Sequence, residues 1–357
     1  MLWLLLRKFN KTYKLINVSF LMNNFKVGII GMGPMGFRHL ESYSGLDGFE
    51  VVCVCDSREE IKEKVPGVKF YNNYKEMIEK ENFDVVSVVT NGPSHAEIVV
   101  SCAEKKIPHI LCEKPMATSV LDAKKMIKAC EENNVRFAIN HTRARGYPTS
   151  IKLAKLLKEG IIGDVRHIHC VDGGGRLGAV GIHHFDLMRM YSGSEADWVV
   201  GFLDENYKGD HKSRDVFDPG AYGIVHFKNG ARGTLELCED IGCPEFIVIT
   251  GSVGRVIIRN EDNYCKILVR SNEDKKKKLG EYDLPLYEFP FESKEFDIIE
   301  STKYLIKNLC SSEEIISSAK DGLAALEIAL AFHISDKNGN KKIGLPYEDE
   351  NFNVDMT

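Results

Sequence analysis

A short apolar run, Phe25 to Ile30, leads directly into Gly31, Met32, Gly33, Pro34, Met35 and Gly36. Three glycines in G-x-G-x-x-G spacing, at the end of a strand and the start of a helix, leave a chain few choices of fold. Gly31 permits the tight turn, Gly33 lets a pyrophosphate approach the backbone, and Gly36 lets the helix pack closely on the strand. The motif is weak when it stands alone; here its place between strand and helix strengthens it, as does Asp56, about twenty residues on at the end of the next strand. Residues 31–36 are therefore expected to hold the phosphates of a dinucleotide, with Asp56, Ser57 and Arg58 beside the adenosine ribose. Asp56 can accept both ribose hydroxyls and repel a 2′-phosphate, which favours NAD. Arg58 can bind a phosphate, which keeps NADP open.

From Phe25 to Asn140 short Val- and Ile-rich runs alternate with helix-like stretches. FKVGII, FEVVCVC, DVVSVV, HILCE and VRFAIN read as strands, with crossovers such as 94–106 and 118–134 between them. Continuous apolar strands joined by helices predict a parallel sheet buried on both faces. Residues 22–142 are thus expected to form a doubly wound Rossmann α/β domain. After about Tyr147 the rhythm changes to a helix in TSIKLAKLLKEG, a strand over 164–171, a helix within GIHHFDLMRM, and then AYGIVHF, ARGTLELCED, EFIVITG, GRVIIRN and CKILVR. Turn signals such as KNG and GSVG predict a largely antiparallel sheet. Two helices, near 291–310 and 313–334, close a second α/β domain over 143–346, and residues 347–357 form a tail.

At 357 residues and 43% hydrophobic, the chain is long enough for two cores. A net charge of -5 offers no broad basic field, so no nucleic-acid partner is expected. The one basic run, Lys275 to Lys278, follows Asn272, Glu273 and Asp274 and reads as a solvated hairpin tip. Ten cysteines include no CxxC pair and no zinc-ligand spacing, and several sit in strand-like runs such as VVCVC. A reduced, cytoplasmic setting fits that pattern. The apolar run at the start is too short to span a bilayer, and its basic residues follow it. Residues 1–21 are therefore expected to be a disordered extension or a product of start-site choice, and no membrane partner is expected.

Two more loops follow strands at the carboxyl edge of the first sheet, where ligands bind. One is TNGPSH, with Thr90, Asn91 and His95; the other is EKP, Glu113 to Pro115. With GMGPMG, EKP, LLKEGIIGDV and GIHHFD in this order, the chain resembles the Gfo/Idh/MocA oxidoreductases from about Met22 to Pro346. The ordered set is specific, although each motif alone is not. The resemblance implies a Rossmann domain followed by an α/β domain with an open, mostly antiparallel sheet, and hydride transfer between nicotinamide and a sugar-like or cyclitol carbon. It places Lys114, with Glu113, near the nicotinamide, and Lys114 also at the reacting hydroxyl. It makes His183, counted from Gly181 and Asp186, the proton-transfer residue. Many dehydrogenases of that family carry an aspartate four residues before this histidine, and here Ala179 stands there. A carboxylate that would hydrogen-bond the imidazole and raise its basicity is missing.

Asp186 shares a helical face with His183 and is placed to orient the imidazole or to pair locally, whereas His184 points about 100° away. Arg143, Arg176, His184 and Asp186 are expected around the substrate. Asn140 and Arg145 stand open between substrate contact and ion pairing, and His95 between cofactor contact and fixing its loop. His167 and His169 share a strand face without a third ligand, so no metal is expected. The chain thus reads as an NAD(P)-dependent dehydrogenase or reductase acting on a secondary alcohol or ketone of a sugar, sugar nucleotide or cyclitol, assembled as a homodimer or homotetramer. Two alternatives stay open: an enzyme that holds NAD tightly to hydrolyse or epimerise a glycoside, and a non-catalytic nucleotide-binding regulator.

Overall fold

The computed structural model describes residues 24–205, 217–259, 262–278 and 284–356. The extension expected at 1–21 lies outside the described residues. Six parallel strands form the first sheet: β1 (Phe25–Ile30), β2 (Phe49–Cys55), β3 (Lys69–Tyr71), β4 (Val85–Val88), β5 (His109–Cys112) and β6 (Arg136–Ile139). Their order is β3-β2-β1-β4-β5-β6. Val27, Ile29, Val85, Val86, Ile110 and Leu111 are all fully buried. Adjacent residues of one strand point to opposite faces, so both faces are covered, which is why these runs are continuously apolar. The strand order reverses between β1 and β4, and the loops after β1, β4 and β5 open at that switch point. The three-residue β3 was not marked from the sequence, being too short to show a period.

The second sheet holds β7 (Val165–Val171), β8 (Ala196–Leu203), β9 (Ala221–Phe227), β10 (Arg232–Leu237), β11 (Phe246–Gly251), β12 (Gly254–Arg259), β13 (Tyr264–Val269), β14 (Tyr287–Phe289) and β15 (Ile343–Gly344). The order is β14-β13-β12-β11-β7-β10-β9-β8-β15. Only the β7–β10 pair is parallel among the described residues; the others are antiparallel. One face packs on the helices Ile182–Ser192 and Ala319–Lys337, where Phe185 and Phe332 meet with ring centroids 5.0 Å apart. A capping box of Ser318 and Asp321 starts the longer helix. β8 was not marked from the sequence because ADWVVGFL is a mixed apolar run that periodicity does not separate from a buried helix. The basic run falls in the connection from β13 to β14, with Lys277 paired to Asp274 at 2.8 Å.

After the second sheet the chain returns to the first. Helix Ile298–Leu309 packs on helix Pro34–Ser44, and Ile139 N donates to Ser317 O at 3.0 Å. The tail is part of the fold: Val354 N donates to Thr118 O at 3.1 Å and Leu121 N to Glu350 O at 2.9 Å. Met356 is fully buried where Gly92 and Gly178 approach it. All ten cysteines are free thiols. No helix among the described residues is long and apolar enough to cross a membrane.

Candidate active site in the crevice between the sheets

The dinucleotide loop is built from backbone. Gly31 has φ +98°, and a Cβ there would lie 2.5 Å from Val89 O. A Cβ on Gly36 would lie 2.1 Å from Gly31 O, so helix and strand can be this close only with glycine. Gly33 is different: nothing lies within 4 Å of where its Cβ would be. Its open side faces space that a phosphate can occupy. Helix Pro34–Ser44 starts at Gly33 without a side-chain cap, which leaves first-turn N–H groups for an anion. These features fit a dinucleotide. Met32 places its side chain in the core and contributes backbone, Met35 is half-buried, and Pro34 is exposed.

Asp56 ends β2 beside this loop. Its Oδ2 accepts from Met32 N at 2.8 Å, and Arg58 donates to both oxygens, Nε to Oδ1 at 2.8 Å and Nη2 to Oδ2 at 2.9 Å. Burial would raise the carboxyl pKa, but these hydrogen bonds hold it below the ordinary value. Arg58 itself is half-exposed on the outer side of the pair, and Ser57 is exposed. The carboxylate is thus present where a ribose would lie, with a guanidinium on it.

Thr90 and Asn91 edge the crevice after β4, tied together through Ser94 Oγ at 2.7 Å from Thr90 Oγ1 and 2.9 Å from Asn91 Oδ1. His95 is buried, with Nδ1 2.9 Å from Pro115 O and Nε2 3.1 Å from Thr90 O. Both neighbours are backbone carbonyls, so the neutral ring, with one N–H, donates to one of them and holds that loop in place. Glu113 also turns away from the crevice. Its Oε1 accepts from Asn140 Nδ2 at 2.7 Å and lies 3.1 Å from His39 Nε2, while Oε2 accepts from Lys114 N at 3.2 Å. Burial would raise its pKa, yet His39, Lys114 and Asn140 bring it to about 2. Glu113 and Asn140 are therefore a buried support under Lys114.

Lys114 reaches across to the second sheet. Its Nζ donates to Ala179 O at 2.8 Å, in the π-helical turn Leu177–Gly181 that leads into the helix bearing His183. Burial pushes the ammonium below its ordinary pKa, against the pull of Glu113 and Asp218. The turn is gripped from behind by Asp218, which accepts from Gly178 N at 2.6 Å and Ala179 N at 3.0 Å. Asp218 was missed by the sequence reading: it sits in a loop ahead of β9, where VFDPGAYG carries no spacing signal that links it to the lysine. It supplies a carboxylate near the place left by Ala179, though to the backbone and not to the imidazole.

His183 is 7% exposed and its Nδ1 is buried without a hydrogen-bond partner. His141, also missed, stands edge-on with its ring centroid 5.9 Å away. Burial first, then the charges of Lys114 and Arg143, push the His183 pKa well below the ordinary 6.5, so the ring is neutral. Asp186 does not orient it. That carboxylate is fully buried and bound by Arg145, with Nε 2.8 Å from Oδ2 and Nη2 2.7 Å from Oδ1, and by Arg189 Nη1 at 3.0 Å. Burial would raise its pKa; the two arginines and His141 bring it to about 2. Asp186 is thus corrected from a substrate contact to the centre of a buried ion cluster, and Arg145 with it.

His184 is corrected likewise. It is fully buried, with Nε2 3.2 Å from Asp172 Oδ2 and Nδ1 3.4 Å from Glu245 Oε1. Arg143 Nη1 closes on the same Glu245 oxygen at 3.1 Å. Asp172, His184 and Glu245 bring one ligand atom each within 4.8 Å of one another, a grouping that the sequence did not reveal. A guanidinium already sits on one of these carboxylates and the imidazole faces both, which describes an ion-paired layer better than a metal cage. Arg176 flanks the turn at 177–181 and is half-buried.

With this geometry in hand, likeness to known proteins can be placed on it. Residues 25–141 match the family described as "Oxidoreductase family, NAD-binding Rossmann fold", and residues 151–257 match the "GFO/IDH/MocA C-terminal domain". The chain is 28% identical over 326 residues to a myo-inositol 2-dehydrogenase of Thermotoga maritima, covering 86% of this chain and 94% of the relative. It is 31% identical over 208 residues to an inositol 2-dehydrogenase of Mycolicibacterium smegmatis, covering 56% and 59%. Among solved structures, a levoglucosan dehydrogenase in complex with NADH matches at a TM-score of 0.76 with 19% identity, covering 91% of this chain and 100% of that one. The glycine loop, the lysine after β5 and the histidine of the second sheet's helix lie in matched segments that together span more than half of the chain, and the protein belongs to the Gfo/Idh/MocA family of NAD-binding oxidoreductases.

Proposed function

We propose that the protein is an NAD-dependent dehydrogenase or reductase acting at a secondary alcohol or ketone carbon of a sugar, sugar nucleotide or cyclitol. The observation that carries this is Lys114: a partly buried ammonium at the carboxyl end of β5, reaching across the crevice to the turn before His183. When bound, NAD supplies a hydride acceptor or donor at its nicotinamide. The chain's own part is to hold the hydroxyl and to move one proton. Lowered basicity brings the neutral amine of Lys114 within reach, so that it can take the hydroxyl proton in oxidation, and the ammonium returns it in reduction. Neutral His183 offers a hydrogen bond to the same oxygen, with no carboxylate behind it to make it the stronger base.

Gly31, Gly33, Gly36, Asp56, Thr90 and Asn91 are the residues proposed to line the cofactor, with NAD preferred over NADP because Asp56 remains ionised there. The outer face of β8 and β9 stacks Phe202 on Tyr222 and Trp198 on His226, each at 4.8 Å, and leaves Ile224 42% exposed. A second copy of the chain is proposed to cover it, which sedimentation of the purified protein checks. The names of the relatives, inositol 2-dehydrogenases and a levoglucosan dehydrogenase, support a polyol-like substrate. The direct test is the appearance of NADH when added NAD meets a panel of sugars, sugar acids, sugar nucleotides and cyclitols. Epimerised or hydrolysed product without net NADH would replace this proposal with the tightly held cofactor; binding of NAD with no conversion at all would leave a regulator.

A further inference from the structure

Arg176 stands at the start of the turn that Lys114 reaches. Its carbonyl accepts from Val180 N at 2.9 Å and from Gly181 N at 3.0 Å, and the next residue is anchored by Leu177 N to Pro219 O at 2.9 Å. The backbone is thereby fixed at the start of the turn on which Lys114 docks. The side chain is half-buried, yet among the described residues it makes no hydrogen bond and no ion pair. Its neighbours are committed elsewhere. Arg143 is on Glu245, Asp172 is on His184, and both oxygens of Asp218 are on the backbone of 178 and 179. Glu239 lies against Gly175. The position two residues before Gly181, where a carboxylate could have answered this charge, is Ala179.

Asp218 acts on this half-buried guanidinium only through space, its oxygens held by the backbone, so the planar fork keeps all its N–H groups for a carboxylate or phosphate. Arg176 opens the turn whose Ala179 O takes Lys114 Nζ, which puts an anion on Arg176 next to the group proposed to handle the hydroxyl. We propose that the substrate carries an anionic substituent, a carboxylate or a phosphate, and that Arg176 is the residue that receives it. This deepens the dehydrogenase proposal and rests on it for turnover, though not for binding.

Matched pairs separate the sources of charge: galactose against galacturonate, glucose against glucuronate, and glucose against glucose 6-phosphate. Each is assayed for NAD reduction by the full chain, and each is titrated into the protein–NADH complex by calorimetry. We expect the charged member of at least one pair to bind and react better, and Arg176→Gln to raise its KM or Kd by roughly 10- to 100-fold while the neutral partner shifts far less. Arg176→Lys should recover part of the loss. The turn's backbone bonds do not depend on the side chain, and NADH binding by each variant reports that the fold is kept. A neutral sugar or cyclitol that outperforms its acid, or an Arg176→Gln effect equal on both members, overturns the anionic subsite and leaves the dehydrogenase proposal standing. Charged ligands that bind through Arg176 without any NAD reduction do the reverse. Absence of binding by every charged probe also overturns the subsite.

Discussion

The dinucleotide loop and the crevice proposed to handle the proton lie side by side at the carboxyl edge of the first sheet, yet they are made in opposite ways. Six consecutive residues make the first, and its constraints are steric: a Cβ on Gly36 would be 2.1 Å from Gly31 O. The second joins Lys114 to Ala179 across 65 positions and adds Asp218 and Arg176 from other loops. A site made of backbone tolerates little change within one short segment. A site made of side chains depends on several segments arriving together, so its parts can be removed one at a time with separable effects.

The sharpest test of that separation is Lys114→Ala. Turnover should fall by about 10²- to 10⁴-fold or more, while NAD affinity measured by fluorescence quenching moves only a few-fold. Equal losses in both would mean that the two regions are one. His183→Ala should fall nearer the low end of that range, since the ring has no orienting carboxylate. Its imidazole should leave no limb near the ordinary 6.5 in the pH profile, because burial and the Lys114 and Arg143 charges push its pKa well below that value.

Next in size is Asp186→Ala, which removes the buried carboxylate that Arg145 and Arg189 share and leaves them Asp321 and Glu195. Removing one member of a buried ion cluster typically costs about 3–5 kcal/mol, readable in urea unfolding. Were stability kept and only KM changed, Asp186 would return to the substrate side of the comparison. A smaller effect is expected at the ribose end of the dinucleotide. Asp56→Ala frees the Arg58 fork that now holds both carboxylate oxygens, and the ratio of NAD to NADP affinity should drop roughly 10-fold. Titration of the native protein with both cofactors sets the baseline; a native preference for NADP would make Arg58 the dominant group.

The effect furthest from the comparison concerns a histidine with no part in the crevice. His333, buried in helix Ala319–Lys337, is pushed down to about 4 by burial. Between pH 6.5 and 4 the unfolded chain binds a proton that the folded chain refuses, so stability is intact above 6.5 and is lost as pH falls through that window. The contribution is about 1.4 kcal/mol for each pH unit. His333→Gln should flatten the melting temperature against pH over that range. Burial also lowers His95, His141 and His183, so a residual slope should persist.

The same contrast explains what could be read in advance. The parallel first sheet and its glycine loop were legible because strand burial and the tight turn are local demands on residue type. Lys114 and His183 were singled out through motif order, and their roles remain proposals. Asp186, by contrast, shares a helical face with His183 as its spacing requires, but a face names no neighbour, and Arg145 arrives from 41 residues away to occupy it. His184 met a similar fate between Asp172 and Glu245.

Glycine positions, apolar periods and the cap at Ser318 carry their physical reasons within a few residues, and so the two sheets, the cofactor loop and the helix starts are written in the linear chain. Which carboxylate faces which cation is not. Asp218 behind the turn at 178 and 179, Glu113 turned onto His39, and Arg176 left without a hydrogen bond or ion pair among the described residues follow from how segments far apart in the chain pack together. Charge pairing acts through space at a few ångströms, and only the packed fold sets those distances.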